Sequence, residues 1–183
     1  MRAVRARSRR GQKGFTLIDM MFVVALIGLL MTLAIPGLMR ARGAAQVSSA
    51  IGTLRAINSA QLSYAITCGL GFYAPDLPTL GVKPPASTAA FLPEGLTGGA
   101  TIMRHGYTFT VVATPLAGAP ATCNGLAGGQ AAPGYAATAD PIATVATGRY
   151  FGTNAEGLLY EHSASLNGIM PESGLPPAGA PIR

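Results

Sequence analysis

Hydropathy and charge divide the first 42 residues into a basic arm and an apolar segment. Residues 20–39 contain no charged side chain. Twenty helical residues rise about 30 Å, which is the thickness of one bilayer hydrocarbon core. The pattern predicts a membrane-length helix over residues 15–39, in which Asp19 is the one charged residue. Pro36 is expected to kink this helix rather than end it.

A second helical pattern, with two different faces, follows over residues 40–68. Its apolar face, into which two amides intrude, consists of Val47, Ala50, Ile51, Leu54, Ile57, Leu62 and Ala65, with Asn58 and Gln61. Small residues dominate the opposite face, among them Ser48, Gly52, Ala56, Ser59 and Ser63. The apolar face predicts packing against the rest of the domain, and the small face favours close approach of another helix over simple solvation. The stretch "CGLGFYAPDLP" predicts the helix end.

From Gly69 onward the chain is rich in glycine, proline, alanine and threonine, with short strand-like segments between them. Strands are predicted in "GYTFTVVA" (106–113) and "GYAATAD" (134–140), and a hairpin in "RYFGTNAEGLLYEH" (149–162). Residues 69–105 are predicted as a connecting loop, and 106–183 as an antiparallel β head. Its last part, "PESGLPPAGAPIR" (171–183), is predicted to be an extended, exposed tail. The fold class is therefore α+β, with one long N-terminal helix whose second half packs on a small antiparallel sheet of three or four strands.

The formal net charge of +6 comes from the N-terminal arm. Six of the thirteen Lys and Arg residues precede Gly14, and the remainder of the chain is balanced. A short basic arm beside an apolar segment is typical of the cytoplasmic side of a membrane, so we predict no direct nucleic-acid binding. Everything after Arg42 would then be exported. Cys68 and Cys123 lie in that part, where a disulfide can persist; two buried thiols are the alternative.

The junction "KGFTLID" and the apolar helix after it resemble the signal of type IV pilins and pseudopilins. The resemblance implies that residues 1–14 are a cytoplasmic leader. A prepilin peptidase would cut between Gly14 and Phe15, and Phe15 would be N-methylated. It also implies a pilin-like fold and a single-pass inner-membrane protein with a periplasmic head. Inner-membrane assembly machinery would extract this protein into a helical homopolymer, either an extracellular or a periplasmic filament.

Asp19 stands where the family usually has glutamate. By this resemblance its carboxylate pairs with the Phe15 amine, which exists only after cleavage, and so sets the register between subunits. A contact with its own N-terminus across one helical turn is a second option. A stray polar residue at the membrane interface is the third.

Catalytic chemistry finds little support in the sequence. The two histidines, His105 and His162, are far apart, and no nucleophile, phosphate-loop or zinc motif is present, so no enzyme activity is predicted. No cofactor is expected either. Asp140, Glu156 and Glu161 are weak candidates for calcium ligands, against the favoured alternative of solvated loop acids.

The sequence thus favours a structural subunit of a type IV pilus-like filament. A pseudopilin of a type II secretion system is the alternative within the same family. A single-span, membrane-anchored periplasmic binding or adhesion domain is the alternative outside it.

Overall fold

A computed structural model of the chain describes residues 15–85, 87–143 and 148–182. Helix α1 runs over Leu17–Thr67 and is followed by a short helix α2, Leu77–Gly81, and a 3-10 turn, Glu94–Leu96. The six strands are β1 Thr101–Arg104, β2 Tyr107–Val112, β3 Ala136–Pro141, β4 Tyr150–Asn154, β5 Leu159–His162 and β6 Ala180–Pro181. The α+β prediction is confirmed.

The chain divides into two compact units, residues 1–41 and 42–183. In the first unit, the described residues form the apolar part of α1, and all of their side chains are exposed. Pro36 lies inside the helix, which continues past it. The kink predicted at this position remains a prediction.

In the second unit the rest of α1 packs on one face of the sheet. The strands follow one another in space in chain order, each antiparallel to the next. Burial alternates along β2, so Tyr107, Phe109 and Val111 point into the core that they share with Leu54 and Ile57 of α1. Thr108, Thr110 and Val112 therefore point to the opposite face. Segregation of apolar residues to one face holds the helix on the sheet.

The buried stripe of α1 differs in detail from the predicted face. The core side chains recur at alternating spacings of three and four, through Val47, Ala50, Leu54, Ile57, Gln61, Tyr64 and Cys68. This stripe includes Gln61, which is fully buried, and leaves out Leu62, which is 54% exposed. A one-residue difference on a helix turns a side chain by about 100°, so the amide points inward and the leucine outward.

Two amides on α1 fix the helix to the head by hydrogen bonds. Gln61 donates to the carbonyl of Ala74 and accepts from its backbone N–H, both at 2.9 Å. Asn58 donates to Thr153 of β4 at 2.9 Å and accepts from the Tyr135 hydroxyl at 2.7 Å. Burial raises the pKa of the Tyr135 phenol, with nearby Tyr73 adding a smaller effect in the same direction. The amides that intrude on the apolar face thus satisfy buried polar groups.

The prediction that residues 69–105 form only a connecting loop is wrong in part. This range holds α2, whose first turn is capped by the Asp76 carboxylate accepting from the backbone N–H of Thr79 at 2.9 Å. It also holds β1, so the sheet begins at Thr101 rather than near residue 106. Edge strands as short as β1 depend on pairing with a neighbour, which local sequence does not reveal.

The segment between β5 and the predicted tail packs on the sheet. Leu166 and Met170 pack against Ala136 and Tyr160 in a second small core on the outer sheet face. Ala180 and Pro181 then add β6 to the sheet beside β5. The sheet therefore has six strands rather than three or four, and Leu166 and Met170 cover part of its outer face. The residues of the predicted tail that the structure describes are half-buried or exposed.

Candidate functional site

The first turn of α1 holds the residues expected to take part in processing and assembly. Phe15 precedes the helix and is 72% exposed. Gly14 and the rest of the predicted leader lie outside the described residues. Oδ2 of Asp19 accepts hydrogen bonds from the backbone N–H of Thr16 at 3.1 Å and from its hydroxyl at 2.6 Å. The backbone N–H of Asp19 in turn lies 3.4 Å from Oγ1 of Thr16.

These reciprocal contacts form a capping box. Thr16 is the N-cap because α1 begins at Leu17, and Asp19 is the third helical residue. The carboxylate satisfies the free N–H of the cap and places negative charge at the positive end of the helix dipole. Our sequence interpretation missed this role of Thr16, although the Thr-x-x-Asp spacing could have revealed it. The side chain of Asp19 is thereby held against Thr16, the residue that directly follows Phe15.

The apolar part of α1 has the length and composition needed to cross a membrane. From residue 15 to residue 42 its side chains are exposed in the isolated chain. Such a long run of exposed Leu, Ile, Val, Phe and Met is unfavourable in water and marks a surface that another apolar environment covers.

The two cysteines are joined, which confirms the predicted disulfide. Cys68 lies one residue past the end of α1, and Cys123 lies in the connection between β2 and β3. The backbone N–H of Cys123 also donates to the carbonyl of Cys68 at 3.3 Å. The bridge therefore fixes a long surface connection to the end of the helix.

The structure does not bring the calcium candidates together. Strand alternation places Asp140 on the outer sheet face, whereas Glu161 is in register with Phe151, which belongs to the core face. Glu156 lies in the β4–β5 turn. This turn is next to Ala136, the first residue of β3, whereas Asp140 lies near the last residue of that strand. Within the described ranges, no group of three or more His, Cys, Asp or Glu residues is placed to hold a metal ion.

Each of these acids has a local partner instead. Both oxygens of Glu161 accept from the Arg149 guanidinium, one of them at 2.6 Å. This contact lowers the pKa of Glu161 and raises that of Arg149. Oδ2 of Asp140 accepts from the Ser165 hydroxyl at 2.6 Å, and Oε1 of Glu156 accepts from the backbone N–H of Gly174 at 3.3 Å. Their observed contacts are those of structural acids.

Comparison with known proteins supports a type IV pilin family. Residues 9–35 match the family model of the prokaryotic N-terminal methylation motif, a span that includes Gly14, Phe15 and Asp19. The chain is 40% identical over 76 residues to the type IV major pilin protein PilE1 of Neisseria gonorrhoeae. That alignment covers 42% of this chain and 34% of the relative, so it spans about a third of the curated protein. No solved structure matches.

Proposed function

We propose that this chain is a structural subunit of a type IV pilus-like filament, without catalytic activity. The observation that carries the proposal is the methylation motif over residues 9–35, which coincides with the start of a long, exposed apolar helix. Similarity to a major pilin adds support. A prepilin peptidase would cut between Gly14 and Phe15, and Phe15 would then be methylated.

Assembly follows from the chemistry of the new N-terminus. Before extraction, the apolar part of α1 lies in the inner membrane, with the leader in the cytoplasm and the head in the periplasm. In the filament the same surface is buried between helices of neighbouring subunits. A buried amine is costly unless a negative group lies beside it, and Asp19 is the one acid of the apolar segment. Pairing of this carboxylate with a Phe15 amine sets the register of each added subunit.

The capping box gives Asp19 a second role within its own chain. Its hydrogen bonds to Thr16 hold the carboxylate at the N-terminal end of the helix before assembly. The carboxylate is therefore already in place to pair with the Phe15 amine. The side chain of aspartate is short enough both to cap its own helix and to pair with an amine at the helix end. Both local bonds use Oδ2 of Asp19, so Oδ1 can accept from a neighbouring amine.

Mass spectrometry of the mature protein tests processing. The expected N-terminal residue is methylated Phe15. An intact Met1, or a cut elsewhere, would contradict the proposal and favour the membrane-anchored periplasmic binding domain. Analysis of fibres sheared from the cell surface then separates the two filament classes. Recovery of this chain in surface fibres supports a pilus, and its confinement to the periplasm supports a type II secretion pseudopilin.

Three substitutions separate the two roles of Asp19. Asp19→Ala removes both the charge and the cap, and should leave membrane insertion intact while abolishing assembly. Asp19→Asn retains an oxygen that can accept from Thr16 but loses the charge. Asp19→Asn should still block assembly, because it leaves the buried Phe15 amine without a negative partner, and an unpaired buried charge costs about 3–5 kcal/mol. Asp19→Glu should assemble. Filament yield by electron microscopy is the measurement, and normal filaments from Asp19→Asn would refute the register role.

A further inference from the structure

Two Asn-Gly pairs lie in the head, Asn124–Gly125 and Asn167–Gly168, and their hydrogen bonds differ. An asparagine that precedes glycine is prone to lose ammonia, because glycine has no Cβ to keep its backbone nitrogen away from the asparagine side chain. The reaction requires this nitrogen to meet the carboxamide carbon. Hydrogen bonds that hold either group in place therefore decide which pair can react.

Asn124–Gly125 is held at each of the groups that would take part. Nδ2 of Asn124 donates to the carbonyl of Thr79 at 2.9 Å, and Oδ1 accepts from the Thr122 hydroxyl at 2.7 Å. The backbone N–H of Gly125, which would have to attack, donates to the carbonyl of Thr122 at 3.2 Å. Asn124 is also half-buried. This side chain cannot turn toward the nitrogen of Gly125 without breaking the bonds that fix it.

Asn167–Gly168 has none of these restraints. Both residues are exposed, in a turn that follows β5. Over the ranges that the structure describes, the Asn167 carboxamide makes no hydrogen bond and the backbone N–H of Gly168 has no acceptor. The backbone N–H of Asn167 donates to Oγ of Ser165 at 3.1 Å, which leaves the Asn167 side chain free. The attacking nitrogen and the carboxamide of this pair are therefore neighbours that nothing holds apart.

The other two asparagines are restrained as well. Asn154 is fully buried and donates to the Gly174 carbonyl at 2.7 Å. Asn58 lies within α1 and donates to the Thr153 hydroxyl at 2.9 Å. Of the four asparagines, all of which lie in the described ranges, Asn167 is thus the one whose amide has no hydrogen-bond partner.

We propose that Asn167–Gly168 is a site of spontaneous deamidation in the folded chain. The backbone nitrogen of Gly168 loses its proton to hydroxide and forms a bond to Cγ of Asn167. The carboxamide nitrogen takes up a proton from water and leaves as ammonia, so that a succinimide ring remains. Water then opens the ring at Cγ to give aspartate, or at the backbone carbonyl carbon to give isoaspartate. The net reaction consumes water and releases ammonia, and it needs no oxidant, reductant or enzyme.

The turn that contains this pair also positions the second small core. The backbone N–H groups of Ile169 and Met170 donate to the carbonyl of Leu166 at 3.2 and 2.9 Å. Leu166 and Met170 cover Gly152 of β4, where a Cβ would lie 3.0 Å from Cδ1 of the leucine and 3.2 Å from Sδ of the methionine. Isoaspartate adds a methylene to the main chain inside this turn, together with a negative charge. Its formation should therefore loosen the turn and the core that the turn positions.

Peptide mapping of the full-length chain, incubated in detergent micelles at mildly alkaline pH, tests the proposal. Trypsin cuts after Arg104 and Arg149, so Asn124 and Asn167 fall in different peptides. Fragment masses locate the change from amide to acid, and chromatography separates isoaspartate from aspartate. We expect Asn167 to react at least about tenfold faster than Asn124, since several hydrogen bonds must break before Asn124 can react. The rate at Asn167 should rise with pH, because the attacking nitrogen must lose its proton.

The same chain unfolded in urea, with its disulfide reduced, is the matched control. Both Asn-Gly pairs are then free of tertiary contacts and should react at similar rates. Asn167→Gln, whose side chain would have to form a larger ring, should remove the acidic product from its peptide. Similar rates at Asn167 and Asn124 in the folded chain, or a faster reaction at Asn124, would overturn the proposal.

Hydrogen exchange tests the link to the second small core. The Met170 amide should exchange faster in the incubated chain than in the fresh chain, and incubation of Asn167→Gln should leave this exchange unchanged. Unchanged exchange in molecules that contain isoaspartate would contradict the loosening of the turn. None of these results bears on Phe15 processing or on the pairing of Asp19, so the proposed filament function is tested separately.

Discussion

Gln61 lies fully buried on α1, where its carboxamide exchanges two hydrogen bonds with the backbone of Ala74. Ala74 is fully buried as well, in the segment that follows the helix end. Among the residues that the structure describes, its N–H and carbonyl bond to no other backbone group, and the Gln61 amide supplies both bonds. The neighbouring Leu62 lies in the exposed face of the helix. Hydrogen bonding, and not hydrophobicity, therefore explains why Gln61 is the buried residue of this pair and Leu62 the exposed one.

Substitution of Gln61 tests this account. Gln61→Leu leaves a buried N–H and a buried carbonyl unpaired, each costing about 1–3 kcal/mol, so it should destabilise the head by about 2 kcal/mol. Leu62→Gln is the matched control and should change the free energy of unfolding by less than about 0.5 kcal/mol. Urea denaturation followed by tyrosine fluorescence measures both. Greater destabilisation by Leu62→Gln than by Gln61→Leu would contradict the assignment.

At the scale of the element, α1 ends in a tight turn that leads into the disulfide. The backbone N–H groups of Cys68 and Gly69 donate to the carbonyl of Tyr64 at 2.9 and 2.7 Å. The N–H of Phe72 then donates back to the carbonyl of Gly69 at 2.9 Å. Leu70, within this turn, has a positive φ of 52°. The chain reverses here because Gly69 presents no side chain to the returning backbone.

Two glycine substitutions, one within α1 and one just past its end, should have opposite effects. A Cβ at Gly69 would lie 2.1 Å from the Phe72 carbonyl oxygen, and backbone cannot move aside cheaply. Gly69→Ala should therefore destabilise the head by about 1–3 kcal/mol or more. Gly52 has open space around it, so Gly52→Ala should stabilise the head by about 0.5–1 kcal/mol through helix propensity.

Thermal unfolding of the two variants beside the unsubstituted chain is the measurement. An unchanged or raised unfolding temperature for Gly69→Ala would contradict the close approach in the turn, and a lowered one for Gly52→Ala would contradict the open space around that residue.

At the scale of the whole molecule, the two units are stabilised in different ways. The head has a core shared by α1 and the sheet, a second small core on the outer sheet face, and one disulfide. In the described part of the first unit the hydrogen bonds all lie within the helix: its backbone bonds, its cap and the bond from the Thr32 hydroxyl to the Leu29 carbonyl. Its side chains are all exposed. This unit therefore has no tertiary core of its own among its described residues, and its apolar surface favours an apolar environment.

The disulfide should make a large contribution to the head. Cys68 and Cys123 are 55 residues apart, and closing a loop of that length stabilises the fold by about 4 kcal/mol in the chain-entropy model. Cys68→Ala combined with Cys123→Ala should lower the free energy of unfolding by about that amount. Dithiothreitol should produce a similar loss in the natural chain and none in the double variant, which serves as its control. An unchanged denaturation midpoint would contradict the prediction.

The sequence by itself determined the features that depend on local pattern. Uninterrupted apolarity identified the membrane-length helix, β-branched and aromatic residues identified β2, and a turn signal placed the β4–β5 hairpin. The pair of cysteines indicated a bridge, and the Gly14–Phe15 junction indicated a processing signal. These features follow from residues close together in the chain or, for the cysteines, from there being only two.

Tertiary structure alone decided the features that need a distant partner. Gln61 is buried because Ala74 arrives beside it, and β1 and β6 are strands because β2 and β5 offer them an edge. The second small core exists because Leu166 and Met170 return over Ala136 and Tyr160. Local sequence encodes none of these, since hydrogen-bond partners and convergent side chains are fixed only when segments far apart in the chain pack together.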